Sequence, residues 1–434
     1  MKQVITSAWA ILLGLMLLQV GNSLQGSLMG VRGGIEGFST SQLSLIASAY
    51  FLGFLGGSRL APLMIRRVGH VRVFAALGSF ISAVLILYPV LTDPYAWMAL
   101  RVVLGFSLSG VYVTTESWLN NSATNETRGQ ALSAYMLVQM VGLVLGQGLL
   151  NLGDPSGYVL FIIPSVLVSL SFAPILLAVA PTPAFETTRP MSLGQLYQNS
   201  PLGFVGMILM GFVYSAQFGM SAVYATQAGM SVREISIMVS AIFVGGIVFQ
   251  YPIGWMSDRM DRRVLIFLIA VAGAISALIG VFFGHIFEAV LLAALLTGGL
   301  SQPMYALLIA YTNDYLEVED MAAASGGLVF INGLGAIAGP PAVGWLMGLT
   351  GPAGFWLFLS ITLAMMALYG GWRMTRRQSA YAAEAEDYDA VPYSQIMPTS
   401  SMVAVETAQE LYVEASEEMA EDIDETEEER PTGA

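Results

Sequence analysis

Twelve apolar runs, each long enough to cross a lipid bilayer, constrain this 434-residue chain more than any other feature. They fall at about 8–29, 43–64, 73–91, 96–118, 130–151, 158–180, 203–225, 235–256, 264–284, 288–312, 323–348 and 354–372. A hydrocarbon core takes roughly 17–25 helical residues. In lipid every backbone N–H and C=O must find its partner inside the protein, so runs of this length fold as helices rather than open sheet. Hydrophobic residues make up 56% of the chain, charged residues 11%, and the mean hydropathy is +0.68, which is not the composition of a soluble domain of this size. The expected fold class is an all-α membrane protein with twelve transmembrane helices. The absence of cysteine excludes disulfides and thiolate chemistry. Two histidines far apart in sequence, His70 and His285, argue against a histidine-rich metal site. No nucleotide-binding motif and no nucleophile–base pair stands out, so no cofactor, nucleotide, nucleic acid or enzymatic activity is expected.

Charge divides the chain. Residues 1–378 carry a net +2 and residues 379–434 a net −15, which together give the overall −13. The membrane body is near neutral, and 379–434 reads as a disordered acidic tail. Residues 181–200 contain three prolines and read as a cytoplasmic linker with a short surface helix around Leu193–Tyr197. With a cytoplasmic N-terminus, Lys2, Arg66, Arg67, Arg72, Arg128, Arg189, Arg259, Arg262, Arg263, Arg373, Arg376 and Arg377 fall inside. Only Arg32 and Arg233 fall outside, while Arg59 and Arg101 lie within runs. The positive-inside rule therefore places both termini in the cytoplasm of a multi-pass protein of the bacterial inner (plasma) membrane.

The chain also repeats itself. Shifted by 192, Gln25 meets Gln217, Gly37-Phe38-Ser39 meets Gly229-Met230-Ser231, Phe51 meets Phe243, Gly53 meets Gly245, and Arg67 meets Arg259. Shifted by 193, Gly105 meets Gly298, Tyr112 meets Tyr305, Asn120 meets Asn313, Glu126 meets Glu319, and Gly142 and Gly146 meet Gly335 and Gly339. Two parallel six-helix halves follow, 1–180 and 201–378, with the first run kept as a helix rather than cleaved as a signal peptide.

One turn packs five charges into six residues: GWMSDRMDRR at 254–263. Its Gly254, Asp258, Arg259, Arg262 and Arg263 resemble the loop motif of the major facilitator superfamily, with Asp261 where a glycine is usual. The first-half copy keeps Gly69, His70 and Arg72 but has Arg66 where the acid is expected, beside Arg67. The resemblance implies a cytoplasmic gate, with Asp258 near the N-terminus of the eleventh span; topology-setting charge is the plainer reading of these residues. Arg101, four residues before Gly105, resembles a second motif of the superfamily. Asn22, Gln25, the passage Tyr112 to Asn120, Arg128-Gly129-Gln130 and Gly142 to Gln147 resemble its YcaD-like branch. The superfamily's antiporter motif wants a proline where Gln147 stands, which counts against a drug/proton antiporter.

Within the runs, Asn22, Gln25, Arg101, Tyr112, Gln139, Tyr214, Gln217, Gln302, Tyr305 and Asn332 are the candidates to line a substrate pathway. Arg101 reads either as the partner of an anionic group or as an arginine snorkelling toward the outer end of its helix. Glu116 is a candidate proton relay, or else a structural partner of Arg128 or Arg59. Buried amides are as often helix-to-helix glue as ligand contacts. The expected function is secondary transport of a small molecule, first an organic anion, with a coupling proton left open. Efflux of amphipathic drugs is the alternative, on the Met, Phe and Tyr of the seventh run. A membrane sensor or assembly factor using the same fold is the second alternative.

Overall fold

The computed structural model describes residues 2–122, 125–177, 191–316 and 318–376, with side chains at 2–8, 120–129, 175–177, 318, 319 and 322 outside the description. The acidic tail, the first half of the linker (181–190) and the side chain of Arg128 therefore lie outside the described residues. The elements are α1 (Lys2–Ile35), α2 (Thr40–Val68), α3 (His70–Leu87), α4 (Pro94–Ser122), α5 (Asn125–Leu149), α6 (Val159–Leu177), α7 (Leu193–Asn199), α8 (Pro201–Gly219), α9 (Ser221–Gln227), α10 (Val232–Ser257), α11 (Arg262–Phe283), α12 (Phe287–Asn313), α13 (Val318–Thr350) and α14 (Gly354–Met374). A 3-10 turn, Leu150–Leu152, follows α5.

Among the described residues eleven helices are long and apolar enough to cross a membrane. The nineteen-residue α6 supplies the twelfth expected span. The expected surface helix is α7, capped by Ser192, whose hydroxyl accepts from the Gln195 N–H. The span expected over 203–225 is interrupted at Met220, after Gly219, a poor helix former, and divides into α8 and α9. Hydrogen bonding continues through the interruption, since Met220 N–H reaches Ala216 O and Tyr224 N–H reaches Met220 O, both at 2.9 Å. No comparable break interrupts α1.

The repeat seen in the sequence is a repeat in three dimensions. In the first half α1 packs on α5 and α6, α2 on α4, and α3 on α4 and α6. In the second, α8 packs on α13 and α14, α10 on α12, and α11 on α12 and α14. Equivalent glycines permit equivalent contacts. A β-carbon at Gly53 would meet Val102 O at 2.0 Å, and one at Gly245 would meet Leu295 O at 2.1 Å. Gly105 and Gly298 are as tight, against Tyr50 O at 2.0 Å and Ile242 O at 2.1 Å. Small residues let membrane helices approach closely, and here the approach is set at matched places in both halves.

The turns repeat as well. Gly37 and Gly229 both have φ of 76°. Phe38 N–H reaches back to Gly33 O at 2.9 Å, and Met230 N–H to Ala225 O at 3.0 Å, the 6→1 bond of a Schellman turn. Ser39 then caps α2 with Gln42, and Ser231 caps α10 with Glu234, each in a reciprocal capping box.

These two turns lie on one face of the bundle, here the far face. The α2–α3 and α10–α11 turns, with Arg66, Arg67, Arg72 and Arg259, lie on the other, the arginine face. Exposed aromatics mark both membrane boundaries: Tyr95, Tyr158 and Trp345 toward the far face, and Tyr197, Trp255 and Trp372 toward the arginine face. On the far face Arg32 pairs with Glu36 at 2.7 Å and donates to the carbonyls of Pro155, Ser156 and Gly157. In the same loop Ser156 donates from its hydroxyl and its N–H to Asp154, which holds that exposed carboxyl below the usual carboxylate range.

Candidate functional site

The two halves meet around a cleft between α2, α8 and α13. Tyr50, Phe51, Phe54, Leu55 and Ser58 of α2 line one side, Tyr214 of α8 and Val329, Asn332, Gly333 and Ala336 of α13 the other. These residues sit near the middle of their helices, so the cleft lies well inside the membrane body. Four of its ten lining residues are aromatic, Tyr50, Phe51, Phe54 and Tyr214. Tyr214 stacks on Phe218 at 5.8 Å between ring centroids with 18° between planes. Tyr50 lies 6.0 Å from Phe54 and 5.9 Å from Phe218, at 35° and 31°. Phe51 meets Tyr214 edge-on at 6.3 Å. Asn332 donates its side-chain amide to Met207 O at 3.1 Å, which bridges α13 and α8.

Behind Tyr50 sits Arg101. Its guanidinium carbon is 5.4 Å from the Tyr50 ring centroid, and one terminal nitrogen donates to Gln25 Oε1 at 2.9 Å. Arg101 is only 4% exposed, its Nε has no protein partner, and no carboxylate among the described residues pairs with it. Nearby, Asn22 donates to the Tyr112 hydroxyl at 3.3 Å, and that hydroxyl donates to Gln19 Oε1. The first half thus holds two buried polar sets, Arg101 with Gln25, and Asn22 with Tyr112 and Gln19.

The second half arranges its polar residues differently. Gln217 Oε1 accepts from the Ser301 hydroxyl at 3.1 Å and from the Gln302 amide at 3.5 Å. The Gln217 amide nitrogen and the Tyr305 hydroxyl are buried without a protein partner. Gln25 and Gln217, matched in sequence, therefore turn to unlike partners within their own halves rather than to each other. Gln139 is fully buried in α5. Gln147 is interhelical glue: it accepts from Ser27 at 2.7 Å and donates to the Ser23 hydroxyl at 2.8 Å.

Glu116, 4% exposed in α4, accepts from the Tyr135 hydroxyl of α5. Arg59, one of the partners expected for it, instead stands over the Phe330 ring at 3.7 Å, across the boundary between the halves. His70 is buried against Ser117, with 3.1 Å between Nε2 and Oγ.

At the arginine face, Arg262 is the centre of the charged turn. It pairs with Asp314 at the end of α12, donates to Ser257 Oγ at 3.1 Å, and lies 3.9 Å from Asp258. Asp261, the departure from the superfamily pattern, caps α11 through the Arg263 N–H at 2.9 Å and pairs with the Arg263 guanidinium at 2.9 Å. Arg259 folds over Trp255 at 4.5 Å. Gly254 is buried inside α10, while Gly69 joins α2 to α3 with φ of 85°. Arg66, Arg67 and Arg72 are exposed.

The described hydrogen bonds that join the halves gather toward the far face. Gln227 donates to Thr40 Oγ1 at 2.7 Å, Ser236 to Gln147 O at 2.6 Å, and Ser48 to Ile337 O at 2.6 Å. A β-carbon at Gly30 would sit 2.9 Å from Ala222 Cβ, so α1 and α9 are in close contact there.

Of the pathway residues expected from sequence, only Tyr214 and Asn332 line the cleft. The others missed by that reading, Tyr50, Phe51, Phe54 and Ser58, carry no charge or amide to single them out in an apolar run. The aromatic density of 50–54 (YFLGF) was their one signal.

Comparison with known proteins agrees with this architecture. The chain is 28% identical to the MFS-type transporter YcaD of Escherichia fergusonii over 346 residues, 78% of this chain and 88% of that protein. It is 26% identical to YcaD of Salmonella heidelberg over the same length. Among solved structures it resembles a point variant of the nucleoside transporter NupG, with TM-score 0.73 and 13% identity over 84% of this chain and 98% of that one. It also resembles a D-xylose-proton symporter, with TM-score 0.67 and 13% identity over 84% and 96%. Identities this low speak to the fold alone. The model of the Major Facilitator Superfamily matches residues 8–232 and 203–404, and the chain belongs to that family.

Proposed function

We propose that the chain is a secondary transporter that carries a small organic anion by alternating access. In this reading the arginine face is cytoplasmic, both termini lie there, and the protein sits in a bacterial inner membrane. One observation carries the anion class: a buried Arg101 with no carboxylate among the described residues to neutralise it. A guanidinium at membrane depth costs about 2.5–3.5 kcal/mol on insertion scales, and a neutral amide and a ring face offset only part of that. An anionic group arriving with substrate supplies the missing charge. The bonds joining the halves near the far face fit a state closed on that side. Rocking of the halves about the cleft then exposes it to either side in turn.

Glu116 is the candidate carrier of a coupling proton, with Tyr135 as its donor. Asp258, Arg259, Arg262 and Arg263 with Asp314 form the cytoplasmic gate of this reading. The first-half Arg66, Arg67, Gly69 and Arg72 make its weaker counterpart. A sensor acting through 379–434 predicts loss of output on tail deletion, whereas a transporter keeps its flux.

The test is uptake of radiolabelled organic anions into proteoliposomes by the parent, Arg101→Lys and Arg101→Gln. Uptake by the parent, reduced in the lysine variant and lost in the glutamine variant, supports the proposal. The aromatic cleft favours one other reading, efflux of amphipathic cations. Transport of lipophilic cations alone, equal in parent and Arg101→Gln, would put that reading in its place.

A further inference from the structure

The cleft and Arg101 are one site with two chemistries, and we infer from their juxtaposition that the substrate is a flat aromatic acid. This rests on the anion reading above and narrows it. Tyr50 is the shared wall, since its ring both lines the cleft and lies 5.4 Å from the Arg101 guanidinium carbon. A ligand in the cleft therefore has aromatic walls around its body and, past Tyr50, a buried cation with an Nε that no protein group uses.

The walls select for ring over chain. The lining rings of Tyr50 and Phe54 meet at 35°, and Phe218, packed behind the lining, lies at 31° to Tyr50 and 18° to Tyr214. Faces so aligned offer a planar ligand offset stacking, while the edge of Phe51 offers a T-shaped contact. A saturated ring of equal size fills the same space but gains neither. The lining carries no charge to meet the acid: its polar groups are the hydroxyls of Tyr50 and Tyr214 and the side chains of Asn332 and Ser58. The last two already donate to backbone carbonyls, Asn332 to Met207 and Ser58 to Leu55. The acid group is thus directed to Arg101, with Tyr50 turning aside to admit it, and the ring remains in the cleft.

Three probes separate ring from charge: benzoate, cyclohexanecarboxylate of the same charge and similar size, and the neutral benzamide. Their binding to the purified full chain is measured by titration calorimetry, alongside Phe54→Leu, Tyr214→Leu and Arg101→Gln. Variants are compared only where their unliganded melting temperature matches the parent, which leaves a second aromatic variant if one fails to fold. The expected result is that benzoate binds at least about tenfold more tightly than either other probe, a difference of about 1.4 kcal/mol. The leucine variants abolish its advantage over cyclohexanecarboxylate, and Arg101→Gln abolishes its advantage over benzamide.

Equal binding of benzoate and cyclohexanecarboxylate overturns the aromatic class while leaving the anion reading intact. Equal binding of benzoate and benzamide, insensitive to Arg101→Gln, overturns the anion reading and with it the acid. Failure of benzoate to bind, with 2-naphthoate as a larger aromatic acid also silent, overturns the proposal outright.

Discussion

Arg262 and Asp314 form an ion pair that ties the start of α11 to the end of α12, with side chains 2% and 11% exposed. Asp258, the acid that the sequence motif singles out, lies farther from the same guanidinium at 3.9 Å and is 28% exposed. A well-buried pair couples more strongly than one open to water, where solvent screening leaves about 0–1 kcal/mol. Double-mutant cycles on thermal or denaturant stability, using Arg262→Gln with Asp314→Asn and with Asp258→Asn, measure each coupling by itself. The coupling of 262 to 314 is expected to exceed that of 262 to 258 by more than about 1 kcal/mol. Equal couplings would return Asp258 to the centre of the turn.

The glycine pairs give a symmetric test of the repeat. Gly53→Ala and Gly245→Ala each place a β-carbon about 2 Å from a facing carbonyl oxygen, so α2 and α4, or α10 and α12, must separate. Overpacking of this kind costs about 1–3 kcal/mol, occasionally more. Both variants are expected to lower the melting temperature by similar amounts. Gly148→Ala, with open space around it inside α5, is expected not to lower it. A large asymmetry between the first two would mean that the matched contacts are not energetically equivalent.

The fold was legible because membrane spans declare themselves by length, and because the repeat survives in residues with strict backbone duties. Gly37 and Gly229 both hold positive φ, and Gly53 and Gly245 both admit a carbonyl, so drift in the surrounding side chains leaves them visible. The site was less legible for the opposite reason. Polar residues in apolar runs attract attention, yet Gln147 serves α1–α5 packing and Gln25 serves Arg101. The cleft is walled by Tyr50, Phe51 and Phe54, which one-dimensional reading cannot distinguish from lipid-facing aromatics. Nor could it find Tyr135, whose hydroxyl meets Glu116 from the next helix. The interruption at Met220 hid because the run stays apolar on both sides of it.

Glu116 separates coupling from transport. If its carboxyl carries the coupled proton, Glu116→Gln loses accumulation driven by a pH gradient but keeps exchange of labelled for unlabelled substrate, which needs no net proton movement. Tyr135→Phe removes the described donor to Glu116 and is expected to shift the pH dependence of uptake while retaining coupling. Counterflow and gradient-driven uptake in the same proteoliposomes distinguish these outcomes. Gradient-driven uptake that persists in Glu116→Gln would exclude Glu116 as the carrier.

The far-face contacts give a direct test of alternating access, and the chain's lack of cysteine makes it a clean one. A β-carbon at Gly34 in α1 would lie 2.9 Å from Thr226 Cγ2 in α9, so cysteines at these two positions have their β-carbons near disulfide range. In the Gly34→Cys, Thr226→Cys double variant, oxidation should join the halves where the far face is closed. Uptake is then expected to stop and to return on reduction. Binding of substrate to the detergent-solubilised protein should persist, because the cleft remains open to the other side. Each single variant, oxidised in the same way, is expected to behave as it does when reduced. A disulfide that forms fully and leaves flux unchanged would mean that transport does not require this seal to open, and the rocking of the two halves about the cleft would have to be abandoned.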